Sequence, residues 1–231
     1  MKSTKYILLS YCIDSSTPVY GNTQQPQIIQ NSNISSGDTS NTFNLKLHNH
    51  TGTHIDAPYH FQKDGNKISD YSLEDLTFSR PVVLDCTVGK EGNISSNVLM
   101  LSADRLEGAD CLLLRTNFSI FRNEDIYRTH NPAILSEAIK WLRTEYPSIR
   151  CLGIDSISIS RYQNREEGRK AHNEAFIIKE GLGEPLLLIE DMNLESLKDS
   201  HILKKITVIP WQIRGIDSAP CSILAEIVQK E

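Results

Sequence analysis

The strongest constraint on this chain is the run His48-Asn49-His50-Thr51-Gly52-Thr53-His54-Ile55-Asp56-Ala57-Pro58-Tyr59-His60-Phe61. Between His48 and His60 it holds four imidazoles and one carboxylate. The chain has only seven histidines in 231 residues, so a stretch of that length would carry about 0.4 by composition. A single histidine is usually a surface or satisfied core residue. A dense His/Asp group is different, because it has no packing rationale and repels itself when protonated. Imidazole and carboxylate are ligands of Zn²⁺, Mn²⁺ and Fe²⁺. A chain that converges them on one point has little conformational freedom left there.

The backbone that carries them reads as extended. His50 and His54 have the i, i+4 spacing of helical zinc proteases, but Thr51-Gly52-Thr53 is poor helix material. The glutamate of H-E-x-x-H is also missing. His48, His50, His54, Asp56 and His60 all fall on even positions, so a regular strand would put them on one face. Gly52 bends the chain between the pairs, and Pro58 stiffens its end. The expectation is a metal cradle at a strand-turn-strand edge, with His48 its weakest member.

The remainder is consistent with one domain over residues 1–231. With 39% apolar and 23% charged residues the composition is that of an ordinary globular protein. No apolar run reaches the length of a membrane span. Tyr6-Ile7-Leu8-Leu9 near the start is too short for a signal-peptide core. Five dispersed cysteines without a C-x-x-C predict free, buried thiols, no thiolate zinc site and a cytoplasmic location. A net charge of −5 and the lack of a basic stripe speak against nucleic acid as partner.

Taken in order, residues 5–12 predict a first strand, and the polar stretch Asp14–Asn41 predicts a long loop. Tyr20 is the one large side chain in Thr17-Pro18-Val19-Tyr20-Gly21 placed to contribute to a pocket. Residues 43–47 predict a strand leading into the cluster, and residues 82–86 and 111–115 predict buried strands. Asn131-Pro132 reads as the N-cap and first position of a helix running to Tyr146, where Pro147 stops it. Trp141 on that helix reads as core. Residues 150–154 return as a strand, giving a strand-helix-strand crossover. Arg161–Lys170 reads as a solvated helix face closed by His172. Buried strands follow at 186–189, 206–209 and 223–228.

Asp155 and Glu190 each directly follow an apolar strand, where α/β folds place ligand-binding groups. Together with His172 they are the polar residues to bring to the first cluster. Asp155 reads equally as a cap or turn, and Asp191 could serve in place of Glu190.

Residues 50–61, H-T-G-T-H-I-D-A-P-Y-H-F, resemble the H-x-G-T-H-x-D-x-P-x-H signature of the cyclase family of metal-dependent hydrolases, of the kynurenine formamidase and isatin hydrolase type. Leu152-Gly153-Ile154-Asp155-Ser156 is similar to that family's G-x-D-T segment, with Ser156 in place of Thr. Leu188–Leu194 and Val208–Pro220 resemble its late acidic element and its closing segment. The interval between His172 and Glu190 is longer than in the shortest members. The resemblance implies a swivelling β/β/α domain, with a mixed sheet and flanking helices, and a homodimer or homotetramer. It implies that His50, His54 and Asp56 bind one divalent metal, zinc or manganese. His172 and Glu190 would hold a second, bridged by Asp56, in those members that carry two.

The same resemblance makes His60 the acid–base residue and Tyr20 a substrate contact. It implies hydrolysis of a C–N amide bond in a small molecule, with arylformamidase action on N-formylkynurenine the leading expectation. An isatin hydrolase-like enzyme, a lactone or carbamate hydrolase, or a cyclase of the same family are the alternatives. A catalytically silent metal-binding protein is the rival from another class.

Overall fold

The computed structural model describes residues 4–21 and 23–230. Met1, Lys2, Ser3, Asn22 and Glu231 lie outside them. The chain begins with β1 (Thr4–Leu8), β2 (Gln27–Ser32) and β3 (Thr42–Lys46). The motif strand β4 (His54–Asp56) follows, then β5 (Thr77–Phe78), β6 (Pro81–Asp85) and β7 (Asn93–Ile94). Helix α1 (Ser96–Met100) leads to β8 (Cys111–Arg115), α2 (Asp125–Thr129), β9 (Ala133–Ile134) and α3 (Ser136–Glu145). The last part comprises β10 (Cys151–Ile154), α4 (Arg165–Phe176), β11 (Leu187–Glu190), β12 (His201–Pro210) and β13 (Ser218–Gln229).

Among the described residues nine strands form one mixed sheet in the order β5-β12-β13-β4-β11-β10-β8-β6, with β1 also paired to β13. The segment β11-β10-β8-β6 is parallel. β4 runs antiparallel to both its neighbours, β11 and β13. The apolar runs that make these strands are covered on both faces, as their continuity predicts. On one face, Leu112, Leu114, Leu152 and Leu188 pack with Ala138, Ile139 and Leu142 of α3 and with Ala171 and Ala175 of α4. On the other, Cys111, Leu113, Cys151 and Ile189 share a buried cluster with Ile206 and Val208 of β12 and Ile223 and Ala225 of β13. The sheet therefore curls over itself, and the layers are strand, strand, helix: the β/β/α arrangement anticipated from the motif.

Several local readings change. The stretch Asp14–Asn41 is not one loop, since β2 lies within it and pairs with β3 in a separate two-stranded ribbon. The strand before the motif is thus part of that ribbon and not of the main sheet. Cys86, Cys111, Cys151 and Cys221 are free and buried, whereas Cys12 is free but exposed. Trp141 packs half-buried against the helix-side core. Among the described residues, no helix is long and apolar enough to cross a membrane.

Asn131 is not a helix cap. It is fully buried, and its amide nitrogen lies 2.9–3.1 Å from the carbonyls of Pro132, Ser158 and Ser160. Residues 133–134 pair with β7 instead of starting the helix. The helix starts at Ser136, whose N–H donates to the Glu167 carboxylate at 2.8 Å. Asn131→Ala would leave buried carbonyls without donors, a loss of about 2–3 kcal/mol. Thermal unfolding should show a Tm lower by roughly 4–10 °C, at the slope usual for a domain of this size.

Candidate metal centre

The motif is only partly a strand. His54 and Asp56 share one face of β4, and Ile55 points the other way into the inter-sheet core. His50 reaches the cluster through a turn at Gly52, whose φ of +65° suits glycine, and a Cβ there would press on Ile13 at 3.1 Å. His60 returns through a short 3₁₀ turn, Pro58–His60. The even numbering of the ligating types therefore has its meaning only at positions 54 and 56. The site also lies in mid-sheet, not at the edge anticipated, because β4 is bonded on both sides.

Sheet register supplies the next residue. Glu190 stands directly opposite His54 on β11 and so shares its face. α4 crosses that face and brings His172. His50 Nδ1 lies 3.0 Å from Asp56 Oδ1, and His54 Nε2 lies 3.6 Å from the same oxygen. His54 Nε2 is 3.4 Å from Glu190 Oε2, and His172 Nε2 is 3.7 Å from Glu190 Oε1. Donor atoms of His54, Asp56 and Glu190 all lie within 4.8 Å of one another, as do those of His50, Asp56 and His60. The five residues assigned to metal from the resemblance thus form one compact cluster.

Each ring is held by its other nitrogen. His54 Nδ1 faces the Gly52 carbonyl at 2.8 Å, and His172 Nδ1 faces the Gly168 carbonyl at 2.9 Å. A carbonyl accepts only, so both Nδ1 atoms carry hydrogen and both Nε2 atoms face inward. Glu190 Oε1 accepts from Ser158 Oγ at 2.9 Å and from the Ile159 N–H at 2.8 Å. His54 is 2% exposed and Asp56 1%. Yet among the described residues His54 Nε2 and both carboxylate oxygens of Asp56 have no hydrogen-bond partner of acceptable geometry. Burying a carboxylate in that condition is costly unless positive charge completes the site.

The titration directions agree with this. Burial pushes Asp56 up, but His50 and His54 beside it hold it well below the usual carboxylate range. Burial likewise opposes ionisation of Glu190, and its contacts with His172 and His54 bring it down to about 2. Burial disfavours a charged His50, yet Asp56 and Asp217 raise it to about 10. The carboxylates stay anionic and draw positive charge into their midst.

Asp217 is the functional neighbour that sequence reasoning missed. Its Oδ2 lies 3.1 Å from His50 Nε2 and 2.6 Å from His60 Nδ1, and its Oδ1 accepts from Asn49 Nδ2 at 2.8 Å. It sits just ahead of β13. The last strand was expected only from residue 223, because Pro220 disguises its start. A carboxylate beside a strand end would otherwise have been the signal.

Two residues considered for the cluster lie elsewhere. Asp155 is buried and accepts from the Thr116 and Asn117 N–H groups at 2.8 and 2.9 Å, tying down the turn after β8. Asp191 has φ +53° and turns away to Arg122 and Tyr127. Glu190, not Asp191, therefore faces the cluster. His48 is exposed and stacks obliquely on His50, with ring centroids 5.4 Å apart. The cluster floors a cavity of about 530 Å³, with His48 and Tyr20 in its walls. Tyr20 meets Tyr162 edge-on at 5.8 Å.

Comparison with known proteins bears on this arrangement. A family described as putative cyclase matches residues 7–161, which include the motif but not His172, Glu190 or Asp217. A kynurenine formamidase of Bacillus cereus is 27% identical over 233 residues, 95% of this chain and 96% of that protein. A solved structure described as a potential metal-dependent hydrolase with cyclase activity is 25% identical. It superposes with a TM-score of 0.73 over 99% of this chain and all of its own. Isatin hydrolase A from Labrenzia aggregata, at 22% identity, shares the fold with a TM-score of 0.80, covering 98% of this chain and 94% of its own.

Proposed function

The chain belongs to the putative cyclase family, and from that premise we propose that it is a metal-dependent hydrolase of C–N amide bonds, acting through residues 1–231 as one domain. The observation that carries this reading is the buried set of Asp56 oxygens and His54 Nε2 that, among the described residues, have no hydrogen-bond partner of acceptable geometry. The donors are nitrogen and oxygen with no thiolate among them, which suits Zn²⁺ or Mn²⁺. His50, His54 and Asp56 would hold one ion. His172 and Glu190, with Asp56 shared, would hold a second.

A divalent cation in such a site activates water and polarises an acyl oxygen. The protein's own part begins with His60. Ionised Asp217 can only accept, so it fixes the proton of His60 on Nδ1 and leaves Nε2 as the base. That nitrogen takes a proton from the attacking water and returns it to the departing amine as the C–N bond breaks. The Asp217 carboxylate stabilises the imidazolium formed between those transfers. For a formamide the products are formate and the free amine. Tyr20 is proposed to contact the substrate at the cavity mouth.

Similarity to kynurenine formamidase makes N-formylkynurenine the first substrate to try. The test is metal analysis of the purified protein with assays on N-formylkynurenine, isatin and formanilide. Activity should vanish with a chelator and return with zinc or manganese. Stoichiometric metal without turnover of any amide, lactam or lactone would favour a silent metal-binding protein. Family membership also supports a homodimer or homotetramer, which light scattering would measure.

A further inference from the structure

One wall of the cavity is a single face of α4. Arg165, Gly168, Arg169 and His172 recur there at helical spacing, and all four line the cavity. The two acids in the first turn of the same helix are engaged elsewhere. Glu166 pairs with Lys170 at 2.8 Å, and Glu167 takes both the N–H and the hydroxyl of Ser136. Among the described residues the ion pairs made from this helix are Lys170 with Glu166 and His172 with Glu190, and neither Arg165 nor Arg169 takes part in them.

This is an unfavourable arrangement for the protein alone. Arginines four residues apart on a helix repel each other. Arg165 also opens the helix, where the positive end of the dipole disfavours a cation. Nevertheless the surroundings fix it at the mouth. Its guanidinium lies over the Tyr162 ring at 4.5 Å. Gly21 lets the N-terminal loop close on the same tyrosine, since a Cβ there would stand 2.7 Å from the ring. Phe61, stacked on His172 with centroids 4.8 Å apart, gives an apolar wall beside the metal cluster.

We propose that Arg165 and Arg169 bind a carboxylate on the substrate, so that the enzyme selects anionic N-acyl aromatic amides over neutral ones. The inference rests on the amide-hydrolase reading above and adds the charge of its substrate. Along α4, Arg169 lies three residues from His172 and Arg165 seven, roughly 5 and 10 Å of helix rise. An aromatic ring spans that order of distance, with the acyl group over the cluster and the carboxylate at the mouth.

The test uses the metal-loaded protein and two probes that differ only in charge, 4-acetamidobenzoate and 4-acetamidobenzamide. Calorimetry should give about tenfold or tighter binding of the carboxylate, as expected for charge-assisted hydrogen bonds. R165Q/R169Q should abolish most of that preference while keeping its metal content and circular dichroism. If the double variant does not fold, Arg169→Gln alone should still weaken the preference. Equal binding of the two probes, or binding of neither, overturns the proposal. A preference undiminished in the variants also overturns it, since the carboxylate would then sit on the metal. Turnover of neutral formanilide without any charge preference would sink this inference and leave the hydrolase reading standing. A charge preference that collapses in the variants, with no amide turned over, would do the reverse.

Discussion

His54→Ala is expected to retain less than about a tenth of the wild-type metal after dialysis, and to lose hydrolysis with it. No other residue can take its place. The ring is buried, its Nδ1 is tied to the Gly52 carbonyl, and its Nε2 is flanked by Asp56 and Glu190. Removing it leaves those two carboxylates facing each other across a gap with less positive charge between them. The same loss is visible without an assay of activity. Metal at a hundredfold excess over its dissociation constant stabilises the native state by about 2.7 kcal/mol. A chelator should therefore lower the wild-type Tm by roughly 5–10 °C and leave that of His54→Ala unmoved. Metal in the variant at wild-type stoichiometry would refute the cluster as a metal site.

The cluster was legible because its signal is chemical and local. Four histidines and an aspartate within thirteen positions mark a site whatever backbone they ride on. The assumed geometry was another matter. The even numbering suggested one strand face, whereas only His54 and Asp56 use strand alternation. His50 and His60 arrive from a glycine turn and a 3₁₀ turn, and neither has a period to read. Buried strands such as β8 and β10 were legible for the opposite reason. Their continuous apolar runs suit two covered faces and little else.

What escaped the sequence depends on partners distant in the chain. Glu190 and Asp191 are adjacent acids after the same strand, and composition cannot separate them. Register does, by setting Glu190 against His54, while the left-handed backbone at Asp191 turns that side chain to Arg122 and Tyr127. Asn131-Pro132 has the form of a helix start, yet tertiary carbonyls claim the asparagine and Glu167 caps the true helix from outside. Asp217 was hidden by Pro220 in the strand it introduces.

His60→Ala should lower kcat by about 10²–10⁴-fold, the range for losing a positioned acid–base group, with metal content unchanged. The structure makes this a demanding test, because donor atoms of His60 also come within 4.8 Å of those of His50 and Asp56. A His60 that ligated the metal would take the metal with it when removed. The hydrogen bond to Asp217 argues for the acid–base role, since it leaves one nitrogen free in a ring that lines the cavity. Asp217→Asn separates the two possibilities further. An amide can donate as well as accept, so it no longer enforces the Nδ1–H tautomer. Under saturating metal, kcat should then fall by roughly 10–100-fold. Metal affinity should weaken as well, because Asp217 also orients His50. If His60→Ala lost its metal while Asp217→Asn kept full kcat at saturating metal, His60 would be a ligand, and the proton would have to travel by another group.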